Sequence, residues 1–482
     1  MSLFPLWAAG WLPDKSLVEL RLARISTRFA AALHRGFDRA ARAPRRWALL
    51  AVVCSLLPLP AVLHAAQTPL SLPEAQRLAA ERSRQLAAQD SAVYASREMA
   101  VAAGQLPDPV LRLGIDNLPI EGADRFSVTR DFMTMRRIGV MQEFTREEKR
   151  RLRAARFERE ADRALAEKDL TLAAIQRDTA IAWLDVFYLE RLRVAVAENA
   201  REIRLEIEAT EGAYRGGRAT QADVLTAQSA RVMIEDRLSE LDRLIRNARA
   251  TLARWVGATA ETAPLAGEPA LDTVPVHAHA LEQQLARHPN IAAMTQEVAM
   301  MEADAAVAKA NKHPDWTWEV AYQQRGPDFS NMVTVGVSIP LQWDQKNRQD
   351  RELAAKLSMI EKAKAQRDEA LRQHVAEVQT MLNEWENGRE RLRRYQRELV
   401  PLAHARTQAV ASAYRGGKGD LMAVLTARRN EIDIRTQSLQ LEMDTARVWA
   451  QLRFLYPDEA VSFSQPEAKM QSPMPANSRE AQ

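Results

Sequence analysis

The strongest constraint on this chain is an internal duplication. Ala213-Tyr214-Arg215-Gly216-Gly217 recurs as Ala413-Tyr414-Arg415-Gly416-Gly417, and Val224-Leu225-Thr226-Ala227 recurs as Val424-Leu425-Thr426-Ala427, both at an offset of 200 residues. A shared offset marks two copies of one structural unit. Each copy lies between two helix-patterned runs, so each reads as the tip of a helical hairpin. The paired glycines supply the positive φ that ends one helix, and the polar residues after them start the next.

The flanking runs are long. Residues 121–263 contain no proline, and Thr145 to about Ala209 reads as one helix. At 1.5 Å per residue it would reach roughly 100 Å. A second run, from about Asn347 to Ser412, is interrupted only by Pro401. Ala, Arg, Glu, Leu and Gln dominate, a mixture that favours long helices. The expected organisation is an N-terminal extension with signal peptide (1–66), a first repeat (67–263) with its turn at 213–223, a proline-rich linker (264–280), a second repeat (281–457) with its turn at 413–423, and a polar, disordered tail (458–482).

Arg42, Arg45 and Arg46 precede an apolar run from Trp47 to Leu63, followed by Ala65 and Ala66. A charged flank, a short apolar core and small residues describe a secretory signal. The run holds Pro58 and Pro60 and is short for a spanning helix. Residues 1–66 also hold nine of the 67 basic and three of the 63 acidic residues, so the remainder carries a net charge near −2. That balance gives no electrostatic case for nucleic acid. The only cysteine, Cys54, lies inside the apolar run, so an exported chain has no disulfide. Cys54 admits a second reading as a lipidation site, although Val53 is bulky for the residue before a lipidated cysteine.

Each repeat carries a pair of alternating segments before its long helix, at 107–144 and 314–343. In the second pair, Trp316, Trp318, Val320 and Tyr322 alternate with polar or small residues; beyond Arg325-Gly326-Pro327-Asp328, so do Val333, Val335, Val337, Ile339 and Leu341. Alternation over about ten residues is the strand pattern of a membrane barrel, apolar towards lipid and polar towards the lumen. Trp316, Trp318, Tyr322 and Trp343 are the candidate interfacial aromatics. In the first pair Leu111, Leu113 and Ile115 alternate, and Arg136-Arg137 in the return segment suggests a bulge. An ordinary soluble hairpin would give similar patterns. Four strands cannot close a barrel, and an open edge in lipid leaves backbone groups unsatisfied. If these strands are transmembrane, at least two chains share one barrel.

Together these features resemble the TolC family of outer-membrane efflux proteins, over about residues 69–457. The resemblance rests on the Tyr-x-x-Gly turns at Tyr214/Gly217 and Tyr414/Gly417, Val-Leu at 224–225 and 424–425, Leu-Pro-Asp-Pro at 106–109, His-Pro-Asp-Trp at 313–316 and Ile339-Pro340-Leu341. Within the family, residues 114–119 and 125–137 are similar to the heavy-metal branch, the CzcC and CusC types. The resemblance implies a mainly α chain with a small β-barrel contribution. In it, long hairpins form a periplasmic tunnel, and four strands per chain join a trimeric 12-stranded barrel in the outer membrane of a Gram-negative bacterium. It further implies a periplasmic adaptor (membrane fusion) protein and an inner-membrane RND pump as partners. The duct itself would pass cargo, here heavy-metal cations, without chemistry.

The resemblance places the turns at the periplasmic entrance, with Tyr214, Arg215, Gly217, Arg218, Tyr414, Arg415, Gly417 and Lys418 as candidate adaptor contacts. A solvated tip would carry the same charges. The family's usual acidic positions after the second turn hold Ala423 and Thr426, which leaves Asp420, and Asp223 in the first copy, as entrance candidates. Asp223 also fits a capping box with Thr220, and Asp420 a simple N-cap. A carboxylate ring there would favour cations.

No catalytic motif is present: there is no phosphate loop, no His-Glu-x-x-His and no Gly-x-Ser-x-Gly. No cofactor or metal site is expected. His277-Ala278-His279 is the nearest thing to a ligand pair, and the clusters Met133/Met135/Met141 and Met294/Met300/Met301 read as packing rather than as soft-metal ligands. Alternatives are a TolC-type duct for drugs or proteins, a soluble periplasmic coiled-coil scaffold, and a metal-storage protein.

Overall fold

The computed structural model describes residues 69–458. The signal-peptide reading, Cys54 and residues 459–482 of the tail lie outside the described residues.

Each repeat runs in the same order of helix, strand pair and long helical hairpin. In the first, α1 (Leu72–Arg82) and α2 (Arg84–Ala103) precede β1 (Val110–Asp116) and β2 (Met135–Phe144), and the hairpin is α3 (Glu147–Arg215) with α4 (Gln221–Val256). In the second, α5 (Pro289–Ala310) precedes β3 (Trp316–Gln324) and β4 (Met332–Ser338), and the hairpin is α6 (Gln349–Arg394), α7 (Val400–Arg415) and α8 (Leu421–Arg453). Ser71 and Ser83 cap α1 and α2, accepting from the N–H groups of Glu74 and Leu86 at 3.4 and 3.2 Å.

The two hairpins differ in one respect. Helix α3 runs unbroken for 69 residues, whereas the corresponding limb of the second repeat passes through a π-helical turn at Tyr395–Leu399 before Pro401. Proline offers no N–H, and its ring crowds the carbonyl four residues back, here that of Arg397. A wider turn relieves both problems.

The strands of both repeats form one antiparallel sheet in the order β1-β2-β3-β4. The register corrects the expected bulge. Pairing of β2 with β1 and with β3 is continuous through Arg136 and Arg137. Arg136 sits near the strand end, where its guanidinium donates to the carbonyl of Arg325 at 3.2 Å, and Arg137 reaches Glu319 on β3. Two adjacent arginines are thus accommodated on opposite faces without an extra residue. Strand β4 stops at Ser338, two residues before Pro340, which cannot donate to a ladder.

The main core joins the two repeats away from the sheet. Trp183, Leu184, Val186 and Tyr188 of α3 pack with Leu252 of α4, Val378 and Trp385 of α6, and Ala446, Trp449 and Leu452 of α8. Two indoles fasten the connecting segments onto this core. Trp183 Nε1 donates to Leu70 O at 3.0 Å and Trp449 Nε1 to Thr273 O at 2.9 Å. Alanines such as Ala164, Ala180, Ala305 and Ala450 are buried along the helices and let neighbouring helices approach closely.

Beside this core, buried His288 lies against His374 of α6, their ring centroids 4.3 Å apart. Its Nδ1 accepts from Asn290 N–H at 3.2 Å. Burial, then the neighbouring His374, pushes the His288 pKa down from its ordinary 6.5 to about 4. Between those values the unfolded chain binds a proton that the folded chain refuses, so stability rises with pH across this window. The contribution is complete above 6.5 and is lost as the pH falls towards 4, a loss on the order of 3 kcal/mol. A urea midpoint in detergent that is lower at pH 4.5 than at pH 7, with the difference shrinking in His288→Gln, is the expected outcome. An unchanged difference in the variant would assign the effect to other groups.

Candidate functional site

The sheet has two faces of opposite character. In register across it lie Leu111, Val140, Val320 and Val335, then Leu113, Ile138, Tyr322 and Val333. These side chains are exposed in the single chain, Leu113 by 70% and Val335 by 72%. A contiguous apolar face of this extent marks a surface that meets lipid or protein rather than water. Trp316, Trp318 and Tyr322 share this face on β3, with Trp316 stacked on Phe144 at 4.7 Å where the sheet meets the helices. Trp343 lies beyond β4 and is 88% exposed.

The other face is polar and carries an ion network across three strands. Arg137 on β2 pairs with Glu319 on β3; Arg112 on β1 approaches the same carboxylate at 3.7 Å, and Asp116 approaches Arg137 at 3.8 Å. The network has a floor of small residues. Gly139 faces Ala321 in register, and a Cβ on Gly139 would stand 2.8 Å from that of Ala321. The long charged side chains therefore lie along the wall.

Polar contacts tie the sheet to the helices at one end. Lys149 of α3 pairs with Asp315 at 2.8 Å, and Asp315 also accepts from the N–H of Arg146 at 3.1 Å. Gln142 donates to Pro107 O at 2.7 Å. At the opposite end the long β1–β2 loop is ordered by Thr134, which donates to Asn117 O at 3.0 Å, and by Asp131, which accepts from Met133 N–H at 2.8 Å.

The two helical turns share one backbone geometry. Gly217 and Gly417 both adopt φ +70°, and the N–H groups of Arg218 and Lys418 donate back to Ala213 O and Ala413 O at 2.8 and 3.0 Å. These bonds close each helix with a glycine in the left-handed region. Tyr214 is exposed and Tyr414 half-buried; Arg215, Arg218, Arg415 and Lys418 are exposed and form no ion pair among the described residues. The two acidic candidates part company. The Asp223 carboxylate accepts from both the N–H and the hydroxyl of Thr220 at 2.8 Å, completing a capping box, and these bonds hold its pKa below the usual range. Asp420 occupies the N-cap of α8, but its side chain makes no capping bond and stays exposed.

About two helical turns further along α8, Arg428 reaches across to α3, where it pairs with Glu202 and, at 3.2 Å, with Glu206. Burial raises the pKa of Glu206, against the pull of Arg428. Beside this clamp is a cleft of about 240 Å³, lined by Ile203, Met233, Ile234, Met422 and Ile432. Glu431 accepts from His404 at 2.7 Å and pairs with Arg435 at 3.0 Å.

The profile of the family described as outer membrane efflux protein matches residues 280–456. Those residues belong to the outer membrane efflux family. The cobalt-zinc-cadmium resistance protein CzcC of Cupriavidus metallidurans is 24% identical over 381 residues, covering 77% of this chain and 86% of that protein. Among solved structures, the outer-membrane channel OprN superposes with a TM-score of 0.67 at 19% identity, covering 80% of this chain and 89% of its own. CusC superposes with a TM-score of 0.66 at 12% identity, over 88% and 99%. The resemblance read from the sequence therefore holds, and the outer membrane efflux family is one of channels, not of enzymes.

Against that family fold, sequence reasoning missed the Arg112–Arg137–Glu319–Asp116 network and the Arg428 clamp. Neither has a local signature, because Arg137 and Glu319 are 182 residues apart and Arg428 and Glu202 are 226 apart. Only the alternation that puts Arg112, Arg137 and Glu319 on polar positions hinted at the first. His277 and His279 stack at 5.9 Å on an exposed surface. Among the described residues no group of three or more His, Cys, Asp or Glu is placed to hold a metal.

Proposed function

We propose that the chain is one third of an outer-membrane duct, in which three copies share a twelve-stranded barrel and pass heavy-metal cations from periplasm to exterior. One observation carries this reading. The four-stranded sheet is apolar and exposed on one face, charged on the other, and open at both β1 and β4. An apolar outside and polar inside is the arrangement of a barrel wall in lipid. Open edges in lipid must be paired, and pairing β4 of one copy with β1 of the next closes the ring. The length of α3 suits a tunnel continuing into the periplasm. The likeness to CzcC, a cobalt-zinc-cadmium resistance protein, supports metal cations as cargo.

In this reading the turns form the periplasmic entrance. Tyr214, Arg215, Gly217 and Arg218, with Tyr414, Arg415, Gly417 and Lys418, contact a periplasmic adaptor that links the duct to an inner-membrane RND pump. Asp420, free of capping duty, is the better entrance carboxylate, because Asp223 is engaged by Thr220. Growth of a deletion strain, with and without this gene restored, tests the cargo across copper, silver, zinc, cobalt, cadmium, dyes and antibiotics. Tolerance restored to one or a few metals is the expected result. Tolerance restored only to dyes or antibiotics would remove metals as the cargo and leave a duct.

A further inference from the structure

The polar face of the sheet carries five charged side chains: Arg112 and Asp116 on β1, Arg137 and Glu143 on β2, and Glu319 on β3. Glu143, at the end nearest the helices, is in no ion pair among the described residues. The other four cancel, and Glu319 does most of the cancelling. It is the carboxylate that both arginines share, with Arg137 at Oε1 and Arg112 at 3.7 Å from Oε2. Asp116 lies within ion-pair distance only of Arg137, at 3.8 Å. Arg112 has no other ion-pair partner among the described residues.

We propose that Glu319 sets the ionic preference of the barrel by masking two arginines that would otherwise turn cations back. The inference rests on the sheet being the wall of a shared barrel, as proposed above. The neighbours of the network are uncharged, with Met141 opposite Glu319 and Gln323 opposite Arg137 and glycines at several of the other positions. Gly114 pairs with Arg137 and Gly336 with Glu319, while Gly139 and Ala321 lie between the two charges. The Arg112 side chain stays about half exposed, at 49%, while Arg137 and Glu319 keep 23% and 21%, so the charge at Arg112 above all is felt by ions in the lumen. Charge rings at a pore wall decide which sign of ion enters, and arginine rings admit anions. Removing the Glu319 charge leaves Arg112 uncompensated in every copy, a ring of unpaired guanidinium groups. A duct for metal cations needs that ring neutralised.

The test uses the full-length protein in planar bilayers, with the reversal potential read under a potassium chloride gradient. Glu319→Gln keeps the size of the side chain and removes its charge. It is expected to lower the potassium-to-chloride permeability ratio by about threefold at ~0.1 M salt, where screening extends over roughly 10 Å. Arg112→Gln should raise the ratio, and the double variant E319Q/R112Q should return it to the parent value. A merely structural role for Glu319 would not give that return. Unchanged selectivity in E319Q, or a double variant that stays shifted, overturns the proposal. If E319Q does not insert, R112Q decides alone, and an unchanged ratio there counts against it. A parent chain that forms no channel removes the barrel reading itself, an outcome distinct from channels whose selectivity ignores Glu319.

Discussion

Gly139→Val is expected to abolish the assembled sheet, whereas Gly114→Ala and Gly336→Ala leave it intact. All three glycines lie on the polar face, but only one is constrained. A Cβ on Gly139 would stand 2.8 Å from Ala321 Cβ, 3.0 Å from Val320 O and 3.2 Å from Ala321 Cα, while none on Gly114 or Gly336 meets anything within 4 Å. Two of those three obstacles are backbone and cannot rotate away. Overpacking of this kind costs about 1–3 kcal/mol where neighbours can shift. Here β2 is an interior strand paired on both sides. It cannot slip by one residue without sending Arg137 to the apolar face and Ile138 to the polar one. The readout is the oligomer band on a semi-native gel of the outer-membrane fraction. An oligomer in G139V as abundant as in the parent would show that the contact is relieved more easily than the geometry allows.

Trp183→Ala should be the most damaging substitution in the helical core. The indole is fully buried, stacks on Phe187 at 5.2 Å and donates to Leu70 O at 3.0 Å. Truncating a buried tryptophan typically costs about 3–5 kcal/mol through lost burial and the cavity left behind. It also loosens Leu70, whose N–H donates to Pro264 O at 2.8 Å and whose carbonyl accepts from Ala266 N–H at 3.1 Å. The start of the first repeat and the linker would loosen together. Trp183→Phe separates the two contributions, because it keeps most of the ring and loses the hydrogen bond, worth about 1 kcal/mol. Urea midpoints in detergent, with protease cleavage near residue 70, would order the three proteins as parent, W183F, W183A. A W183A midpoint equal to the parent would mean that stability resides elsewhere.

The fold class was legible because its signals are periodic and local. The glycine-marked repeat, the proline-free run before residue 264 and the alternation of Trp316 to Tyr322 each report on a few neighbouring residues. What escaped is long-range. Arg136-Arg137 suggested a bulge because a lone strand gives no reason to tolerate adjacent arginines. The reason is the Arg325 carbonyl for one and Glu319 for the other, both supplied by the second repeat. The different fates of Asp223 and Asp420 were half legible, since Thr220 three residues before Asp223 announces a capping box, whereas Asp420 is itself at the N-cap with Ala423, which has no carboxylate, three residues on. The π-helical turn before Pro401 follows from proline chemistry, because 395–399 contains the Arg397 carbonyl that the Pro401 ring would crowd.

The open edges at β1 and β4 also bear on how such a chain comes into being. In the shared-barrel reading proposed above, a newly exported copy alone in water would present two unpaired backbone ladders and an uncovered greasy face, which together are a template for misassembly. Finishing the sheet and meeting two other copies would then be a single kinetic event, so the yield of duct should depend steeply on how many chains are exported at once. Stray edges are the hazard in the interval before closure, and an escort that covers them until the membrane is reached would shorten it.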